Sequence, residues 1–481
     1  MLTLRVKNQE CELPLRILDL FAGAGGLSLG FERYNAIASQ QVFKFVGAVE
    51  MDKDACNTLR LNHPELVGDD DTTRIIEGDI TQDDIHKKVI ERIGGIGVDI
   101  IVGGPPCQSF SMIGTRSGRW VDEEGRCKED HRDLLFEEYV RLVEQLQPLF
   151  IVLENVDGIR SKRDELGRTY LSRIIGELEG KGYHFTIDDH TEKFLRLNAA
   201  DYGVPQVRHR IFLVGSRIPG FVMHSPMPTH GDPDAYPDGQ LPAGRQRWIT
   251  LHDAIGDLPK VLAHYTGSNV SLTRWQELQE ENTRRKNGAD ECAYHTAEFQ
   301  RHYERLDLSG KAFLDFVAGL HGPLLRYHKA RCQQASDIQL FEKMPAGATA
   351  KDIFEGEKEG LQALKALIRY DMESFKDKYR KQQWTRPGTT IFAHLERDGN
   401  RFIHPDKDQA RTFTVREAAR VQSFPDEYLF AGAMKSRYRQ IGNAVPPLLA
   451  RAIAGAIYTS VRENSLLYED GTMVPPDNHS T

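Results

Sequence analysis

The sequence predicts an α/β protein built on a doubly wound, mostly parallel sheet. Short apolar runs that suit buried strands alternate with stretches of helical period along the N-terminal half of the chain. A glycine-rich segment follows the first apolar run, and acidic residues end the next two. This combination is typical of nucleotide-type folds, whose ligands bind at the carboxyl ends of the parallel strands.

The first predicted strand covers residues 15–20 and runs into a GAGG turn at 23–26, after which residues 27–34 have a helical pattern. Glycines at a strand-to-helix turn allow the backbone to approach a ligand closely, with the helix amides facing it. The dinucleotide motif GxGxxG fails at Ser28, which disfavours a nicotinamide-dependent dehydrogenase.

Acidic residues follow the second and third predicted strands. Residues 45–49 end at Glu50, where a carboxylate suits the hydroxyls of a ribose. Asp79 follows the third strand, where a carboxylate could accept a hydrogen bond from an adenine amino group. Further strands are predicted around Ile100, Ile151 and Phe212. These features together predict a sheet that binds an adenosine-containing cofactor.

A Pro105-Pro106-Cys107 segment ends the apolar run at 98–102. The two prolines stop the strand and hold the next residue in a fixed turn, so the thiol of Cys107 is presented at the carboxyl end of a strand. Cys107 is therefore a candidate nucleophile. Most free cysteines fill core gaps, and this segment alone leaves that interpretation open.

Two later segments carry candidate catalytic groups. Glu154 ends the predicted strand at 149–153, where a carboxyl beside an apolar wall can serve as a proton donor; a helix cap or a surface ion pair is the alternative. Arg208 and Arg210 precede the strand at 211–214 and alternate, so both face one side of an extended segment. Two guanidiniums there can orient a carboxylate, hold a base carbonyl or contact phosphate, although arginines at a strand start are also common without such a role.

Composition is that of an ordinary soluble protein of 481 residues, long enough for two or three domains. The six cysteines contain no CxxC pair and no zinc-like spacing with histidine, so free thiols in a reducing cytoplasm are expected and no metal is expected. No apolar segment of membrane-spanning length is expected. The formal net charge of −8 argues against a globally basic nucleic-acid binder but not against a local basic cleft.

Six blocks of the sequence resemble the DNA cytosine-5 methyltransferases and stand in that family's order. The blocks are DLFAGAGGLSLGF at 19–31, PPCQSFS at 105–111, ENV at 154–156, QVRHR at 206–210, TVREAARVQSFPD at 414–426 and GNAVPP at 442–447. Any one block could arise by chance, whereas six collinear matches over nearly the whole chain make chance negligible.

The resemblance implies the reaction and the catalytic residues. Cys107 would add to carbon 6 of cytosine, because carbon 5 is too poor a nucleophile to take a methyl group until a thiolate has added. Glu154 would hold ring nitrogen 3 and the exocyclic amine. Arg210, with Arg208 beside it, would contact the base carbonyl and orient the catalytic groups. The implied methyl donor is S-adenosylmethionine, without a metal.

The resemblance also implies a set of donor-binding residues. Glu50 would hold the ribose and Asp79 the adenine, while Asn443 would return to the donor or to the PPC loop. The full set consists of Phe21, Gly23, Gly25, Glu50, Asp79, Pro106 and Asn443.

Three segments follow from the same resemblance. They are a catalytic donor-binding domain at 1–257, an inserted target-recognition domain at 258–385, and a return segment at 386–481 that completes the catalytic domain. The helix at 448–458 is expected to lie beside the first strand. The loop at 114–130 is expected to close over DNA whose target base is flipped out of the duplex.

A basic cluster near the end of the target-recognition segment has two interpretations. Its members are Lys376, Lys378, Arg380, Lys381 and Arg386, with the aromatic residues Tyr379 and Trp384. A charge run is more often a solvated face. In this family, however, cationic and aromatic side chains of the segment would bind phosphates and base edges.

The leading hypothesis is a cytoplasmic DNA cytosine-5 methyltransferase of bacterial or phage type, monomeric and acting on double-stranded DNA. A cognate restriction endonuclease is an expected partner, and an orphan enzyme fits equally. The alternatives are an RNA-modifying enzyme with the same chemistry and a non-catalytic DNA-binding relative. The presence of Cys107, Glu154, Arg210 and Asn443 favours an active enzyme.

Overall fold

The chain forms two compact units. The computed structural model describes residues 3–6, 9–69, 71–105, 133–161, 163, 167–188, 191–265, 291–293, 296–318, 324–356, 359–370, 378–463, 465–469 and 472–474. The first unit, called the sheet unit, comprises Met1–Tyr202, Arg208–Pro228 and Ala444–Thr481. The second, called the insert unit, comprises Gly203–Val207 and Thr229–Asn443.

A seven-stranded sheet forms the centre of the sheet unit. Its strands are β1 (Leu15–Leu20), β2 (Phe43–Glu50), β3 (Ile75–Glu77), β4 (Ile100–Gly103), β5 (Phe150–Val156), β6 (Leu195–Asn198) and β7 (His209–Ser216). They lie in the order β3-β2-β1-β4-β5-β7-β6. Strands β1 to β5 pair in parallel, and β7 runs antiparallel to both of its neighbours. The predicted doubly wound α/β fold is confirmed; β6 was not predicted.

The strand order reverses between β1 and β4, which places a ligand crevice at the carboxyl ends of these strands. Near-continuous apolar runs form the strands because both faces of a parallel sheet are covered. The side chains of Leu18, Leu20, Ile101 and Leu153 are at most 1% exposed. The N-terminal part of this unit contains the helices α1 (Gly26–Ala38), α2 (Lys53–Asn62), α3 (Asp83–Arg92), α4 (Asp133–Leu146) and α5 (Tyr170–Gly180).

The C-terminal helix, Pro447–Glu463, packs closely against α1. A Cβ atom on Gly30 would lie 2.4 Å from the Ala450 Cβ and 2.5 Å from the Pro447 carbonyl oxygen, so only glycine fits there. The end of the chain therefore completes the sheet unit, as the sequence predicted. Its main packing partner is α1, the helix that follows the first strand.

A small antiparallel sheet joins the two ends of the sheet unit. Thr3–Val6 pairs with Gln9–Glu12 and with Ser465–Glu469, which in turn pairs with Thr472–Val474. The sequence analysis did not predict this sheet, whose pairing partners are separated by almost the entire chain.

The insert unit consists of short helices and two-stranded ribbons. Its helices are Leu251–Ile255, Thr296–Arg305, Leu308–Ala318, Ala335–Lys343, Ala350–Glu355, Glu359–Gln362, Val415–Val421 and Met434–Asn443. Its ribbons pair His230–Gly231 with Gln246–Arg247, His264–Tyr265 with Cys332–Gln333, Glu291–Ala293 with Leu324–Arg326, and Gln206–Val207 with Gly388–Thr389. A separate apolar core includes Leu340, Phe341 and Ile353.

Buried ion pairs hold the helix of the TVREAARVQSFPD block within the insert unit. Arg420 donates to Asp257 Oδ1 at 2.6 Å and to Asp426 Oδ1 at 2.9 Å. Arg411 donates to the two carboxylate oxygens of Glu417, each at 2.7 Å. Since breaking one side of a buried pair leaves an uncompensated charge, these contacts fix the helix in place. This block therefore has a structural role in the insert unit.

The compact units do not coincide with the predicted segments 1–257, 258–385 and 386–481. The insert unit contains Gly203–Val207 and Thr229–Asn443, so it extends beyond 258–385 on both sides. The Arg420–Asp257 pair is one contact that joins residues outside the predicted bounds within this unit. The insert unit ends at Asn443, and only the residues after it return to the sheet unit. Which residues read DNA stays a prediction.

Residues Met434–Glu463 are long and apolar enough, by length and composition, to cross a membrane, which the sequence analysis did not expect. The apolar window of this stretch is 78% buried inside the protein. Its composition therefore reflects packing in the protein core.

Replacing Gly30 by alanine is expected to destabilise the sheet unit. Overpacking should cost about 1–3 kcal/mol, which exceeds the roughly 1 kcal/mol that alanine gains over glycine in a helix. Gly176→Ala is the matched control, because Gly176 lies within α5 and its Cβ would meet nothing within 4 Å. Chemical denaturation should show a loss for the first variant and none for the second. Equal stability of Gly30→Ala and the wild type would contradict this packing.

Candidate active site

The glycine-rich turn between β1 and α1 adopts the backbone that its sequence predicts. Gly23 and Gly25 have φ values of 53° and 73°, in the left-handed region that glycine tolerates, and Gly25 caps α1. Phe21, also at positive φ (58°), is half-buried and packs against the sheet core. A Cβ on Gly23 would meet nothing within 4 Å, so the space above the turn is open to a ligand.

Glu50 links this turn to the end of β2. Its Oε2 accepts a hydrogen bond from the Gly23 amide at 2.7 Å, and its Oε1 accepts from the amides of Met51 and Asp52 at 2.9 and 2.8 Å. Burial raises the pKa of Glu50, and the three amide hydrogen bonds oppose that rise. Because each carboxylate oxygen can accept two hydrogen bonds, Oε2 retains the capacity to accept one from a hydroxyl group.

Asp79 follows β3 and stabilises the turn before α3. Its Oδ1 accepts hydrogen bonds from the amide and the hydroxyl of Thr81, at 3.0 and 2.9 Å. The side chain is half-buried, and its Oδ2 can accept a hydrogen bond from a further donor. Glu50 and Asp79 thus end adjacent strands, which brings them to the same edge of the sheet.

Backbone from the GNAVPP block reaches the start of α1. A Cβ on Gly26 would lie 2.1 Å from the Val445 carbonyl oxygen, so this approach requires glycine. The Arg208 guanidinium donates to the Ala444 carbonyl at 3.1 Å, and burial lowers the pKa of this fully buried arginine. Arg208 therefore holds the late block, a contact between residues 236 positions apart. Asn443 precedes this backbone, ends helix Met434–Asn443 and has an exposed side chain.

Glu154 and Arg210 form a buried ion pair at the ends of β5 and β7. The Arg210 Nε lies 2.8 Å from Glu154 Oε1, and each side chain is 12% exposed. Burial lowers the pKa of Arg210, while the charge of Glu154 opposes that effect. The two side chains meet because β5 and β7 are adjacent strands.

The second oxygen of Glu154 faces the backbone that leads into the PPC block. A Cβ on Gly104 would lie 3.0 Å from Glu154 Oε2. Cys107 follows Gly104 by three residues in the sequence. Cys107, Pro106 and the predicted loop at 114–130 lie outside the described residues.

The predicted basic cluster is divided by the structure into buried and exposed members. Tyr379 is fully buried and donates to Asp337 Oδ1 at 3.0 Å, and the buried Lys381 ammonium donates to the Phe341 carbonyl at 2.6 Å. Neither side chain forms a solvated face or can contact DNA in this position. Arg386 pairs with Asp232 and with Asp234, and Lys376 lies outside the described residues.

A cationic surface on the insert unit contains Lys378 and Arg380 of the predicted basic cluster, together with two arginines that the sequence did not indicate. We define the cationic surface as Lys378, Arg380, Arg397 and Arg401. The Arg380 amide donates to the Asn400 carbonyl at 3.0 Å, which brings the two segments side by side. Burial and then the charges of Arg397 and Arg401 lower the pKa of Lys378, against the opposing charge of Asp398, which shows that these cations are crowded.

The signal that could have identified Arg397 and Arg401 is their spacing of four within a polar, glycine-containing turn. The Arg401 guanidinium lies 5.2 Å from the Phe392 ring centre, and the Lys378 ammonium lies 3.3 Å from the Tyr370 ring centre. Contact with an aromatic ring restricts the motion of a lysine or arginine side chain without neutralising its charge. The arrangement suits binding of an extended polyanion.

Comparison with known proteins gives a family match and several relatives. The model of the C-5 cytosine-specific DNA methylase family matches residues 15–459. The type II methyltransferase M.AgeI of Thalassovita gelatinovora is 31% identical over 476 residues, which cover 93% of this chain and 100% of that protein. M.XorII of Xanthomonas oryzae pv. oryzae is 32% identical over 462 residues, covering 93% and 85%.

A solved structure shares the fold. It is a DNA modification methyltransferase encoded within an E. coli prophage, 22% identical, with a TM-score of 0.55 over 93% of this chain and 99% of that chain. The family model spans nearly all of the sequence, including the strands that carry Glu50, Glu154 and Arg210. The chain therefore belongs to the C-5 cytosine-specific DNA methylase family, the DNA cytosine-5 methyltransferases.

Proposed function

We propose that the protein transfers a methyl group from S-adenosylmethionine to carbon 5 of a cytosine in a specific double-stranded DNA sequence. The observation that carries this proposal is the Glu154–Arg210 pair, which lies against Gly104 at the start of the PPC block. A fixed carboxyl group and a presented thiol are the two groups that addition to a pyrimidine ring requires.

Cys107 is the nucleophile in this proposal. Its thiolate adds to carbon 6 of the cytosine, and the electron pair of the 5,6 double bond becomes available at carbon 5. Carbon 5 takes the methyl group, loses its proton to a base, and the thiolate leaves as the double bond re-forms. The target base must leave the duplex to reach these groups, which costs a few kcal/mol of unstacking energy.

Glu154 holds the cytosine edge at nitrogen 3 and the exocyclic amine. Arg210 occupies Oε1 of Glu154, so Oε2 is the oxygen oriented toward the PPC backbone. As the thiolate adds, a proton that the Glu154 carboxyl group shares with ring nitrogen 3 neutralises the negative charge that develops on the ring, which favours the adduct over the free base. Arg208 acts as a positioning residue through the Ala444 carbonyl.

The residues at the sheet edge fit the methyl donor. Glu50 keeps an acceptor for a ribose hydroxyl, Asp79 keeps an oxygen for the adenine amine, and the turn at Gly23 leaves open space. Phe21, Gly25, Pro106 and Asn443 complete the proposed set. When bound, the donor supplies a methyl group activated by a sulfonium, so the transfer uses no metal.

The insert unit supplies DNA contacts through the cationic surface. Phosphate contacts position a protein on DNA and release counterions, which makes their contribution dependent on salt. The names of the relatives as type II methyltransferases support a place in a restriction-modification system, with a cognate endonuclease as a partner. We further propose that the enzyme acts as a monomer in the cytoplasm.

Replacing Glu154 by glutamine is expected to lower the rate of methyl transfer by about 10²–10³-fold. The change keeps the side-chain volume but removes the carboxyl group that pairs with Arg210 and shares a proton with the base. Single-turnover transfer of a radiolabelled methyl group measures the rate, and donor binding should remain unchanged. The matched control is Glu177→Gln, on the outer face of α5. A Glu154 variant that transfers at the wild-type rate would rule out the proposed role.

Bisulfite sequencing of DNA from a host that expresses the protein tests the reaction itself. The wild type should protect cytosines in one sequence context, and Cys107→Ser should protect none, because a hydroxyl is too weak a nucleophile here. Parallel sequencing of host RNA examines the alternative substrate. Protection confined to RNA, or protection by the serine variant, would overturn the proposal.

Arg397→Gln with Arg401→Gln is expected to weaken DNA binding equally across sequences. The slope of log K against log salt should fall by about 2, one for each phosphate that the double variant no longer neutralises. Arg386→Gln serves as the control, since its guanidinium already pairs with Asp232. Fluorescence anisotropy at several salt concentrations measures the slopes. An unchanged slope in the double variant would place the phosphate contacts elsewhere.

A further inference from the structure

Three potential metal ligands converge at a place on the sheet unit that the proposed reaction does not use. Glu32 lies on α1, His63 caps the end of α2, and Glu65 lies in the following turn, Pro64–Leu66. One ligand atom from each residue lies within 4.8 Å of the others. No metal was expected from the sequence, because the cysteines show no CxxC pair and no zinc-like spacing with histidine. Glu32 lies 31 residues before His63, so this cluster forms no recognisable sequence motif.

The imidazole of His63 is held in place and directed at the two carboxyl groups. Its side chain is 6% exposed, its main-chain amide donates to the Leu59 carbonyl at 2.9 Å, and its ring packs edge-on to Phe45 at 4.7 Å. The Nδ1 atom faces Glu32 and Glu65, and the buried Nε2 has no hydrogen-bond partner among the described residues. The ring is thus oriented by packing.

The separations match ligands of a common ion better than hydrogen bonds. His63 Nδ1 lies 3.7 Å from Glu32 Oε2 and 3.5 Å from Glu65 Oε1. A hydrogen bond would bring such atoms to about 2.7–3.2 Å. Ligands of tetrahedral zinc, each about 2.0–2.2 Å from the metal, lie about 3.4 Å from one another. The exposed Glu65 side chain can close the remaining gap.

The charge of the site also favours a cation. Two carboxyl groups beside an imidazole supply the oxygen and nitrogen atoms that zinc binds in proteins, and a bound cation would offset their negative charge.

We propose that Glu32, His63 and Glu65 bind zinc or a similar first-row divalent ion, with water as the remaining ligand. Magnesium is disfavoured because it prefers oxygen ligands in an octahedron. The ion would connect α1 with the end of α2. Gly25 caps α1, and Glu50 accepts a hydrogen bond from the amide of Asp52, the cap of α2. The ion would therefore stabilise the two helices that follow these proposed donor-binding residues.

Titration of the chelator-treated full-length protein with Zn²⁺ in a calorimeter tests the site. One ion per chain is expected, with a Kd below about 10 µM, and saturation should raise Tm by roughly 5 °C. Co²⁺ should give the intense visible absorption of a tetrahedral site. No binding at about 100 µM Zn²⁺ would overturn the proposal.

Variants locate the bound ion. His63→Ala and Glu32→Gln should each weaken Zn²⁺ binding by more than about tenfold. If His63→Ala fails to fold, Glu65→Gln replaces it, because the Glu65 side chain is 59% exposed and its change leaves the fold intact. Glu65→Gln should also weaken Zn²⁺ binding. Glu91→Gln, an exposed glutamate on α3, is the matched control. Binding that survives in Glu32→Gln and Glu65→Gln would place the metal elsewhere and refute the site.

Discussion

The ion pair between Glu154 and Arg210 is the interaction on which the candidate active site depends. At this depth an unpaired charge is costly, so each side chain fixes the position of the other. The pair spans β5 and β7, whose antiparallel register sets Phe212 opposite Glu154 and places the arginine at the strand end. One carboxylate oxygen is thereby committed to the protein, and the other faces the backbone that leads to Cys107.

In the proposed donor site, at the neighbouring strand ends, a carboxyl group is likewise held in place by other groups of the protein. Glu50 is clamped by three backbone amides, which commits part of its hydrogen-bonding capacity to the turn at Gly23 and leaves part for a ligand. Close approach of the Val445 carbonyl to Gly26 and the bond from Arg208 to Ala444 then bring the C-terminal backbone to this edge. In both the candidate active site and the proposed donor site, contacts within the protein therefore fix the carboxyl group before a ligand binds.

Local patterns predicted the parts of this architecture that depend on neighbouring residues. The β1 turn and the acids at Glu50 and Asp79 were predictable because strand ends and glycine turns are local features. The Arg208–Ala444 contact was not, since nothing near Arg208 indicates a partner 236 residues away. For Tyr379 and Lys381 the local pattern was misleading. They lie in a polar run that predicted exposed side chains, but the core of the insert unit buries both. The Arg208–Ala444 contact and the burial of Tyr379 and Lys381 both depend on packing between residues that are distant in the sequence, which local patterns do not show.

The most direct test of the central claim is mass spectrometry of protein trapped on DNA that carries 5-fluorocytosine at the target position. Fluorine cannot leave carbon 5 as a proton does, so the covalent intermediate persists after methyl transfer. The account predicts one DNA strand per chain, attached to the peptide that contains Cys107, with the methyl group on the same base. Attachment at another residue, or complete methyl transfer to ordinary DNA with no trapped adduct, would contradict it.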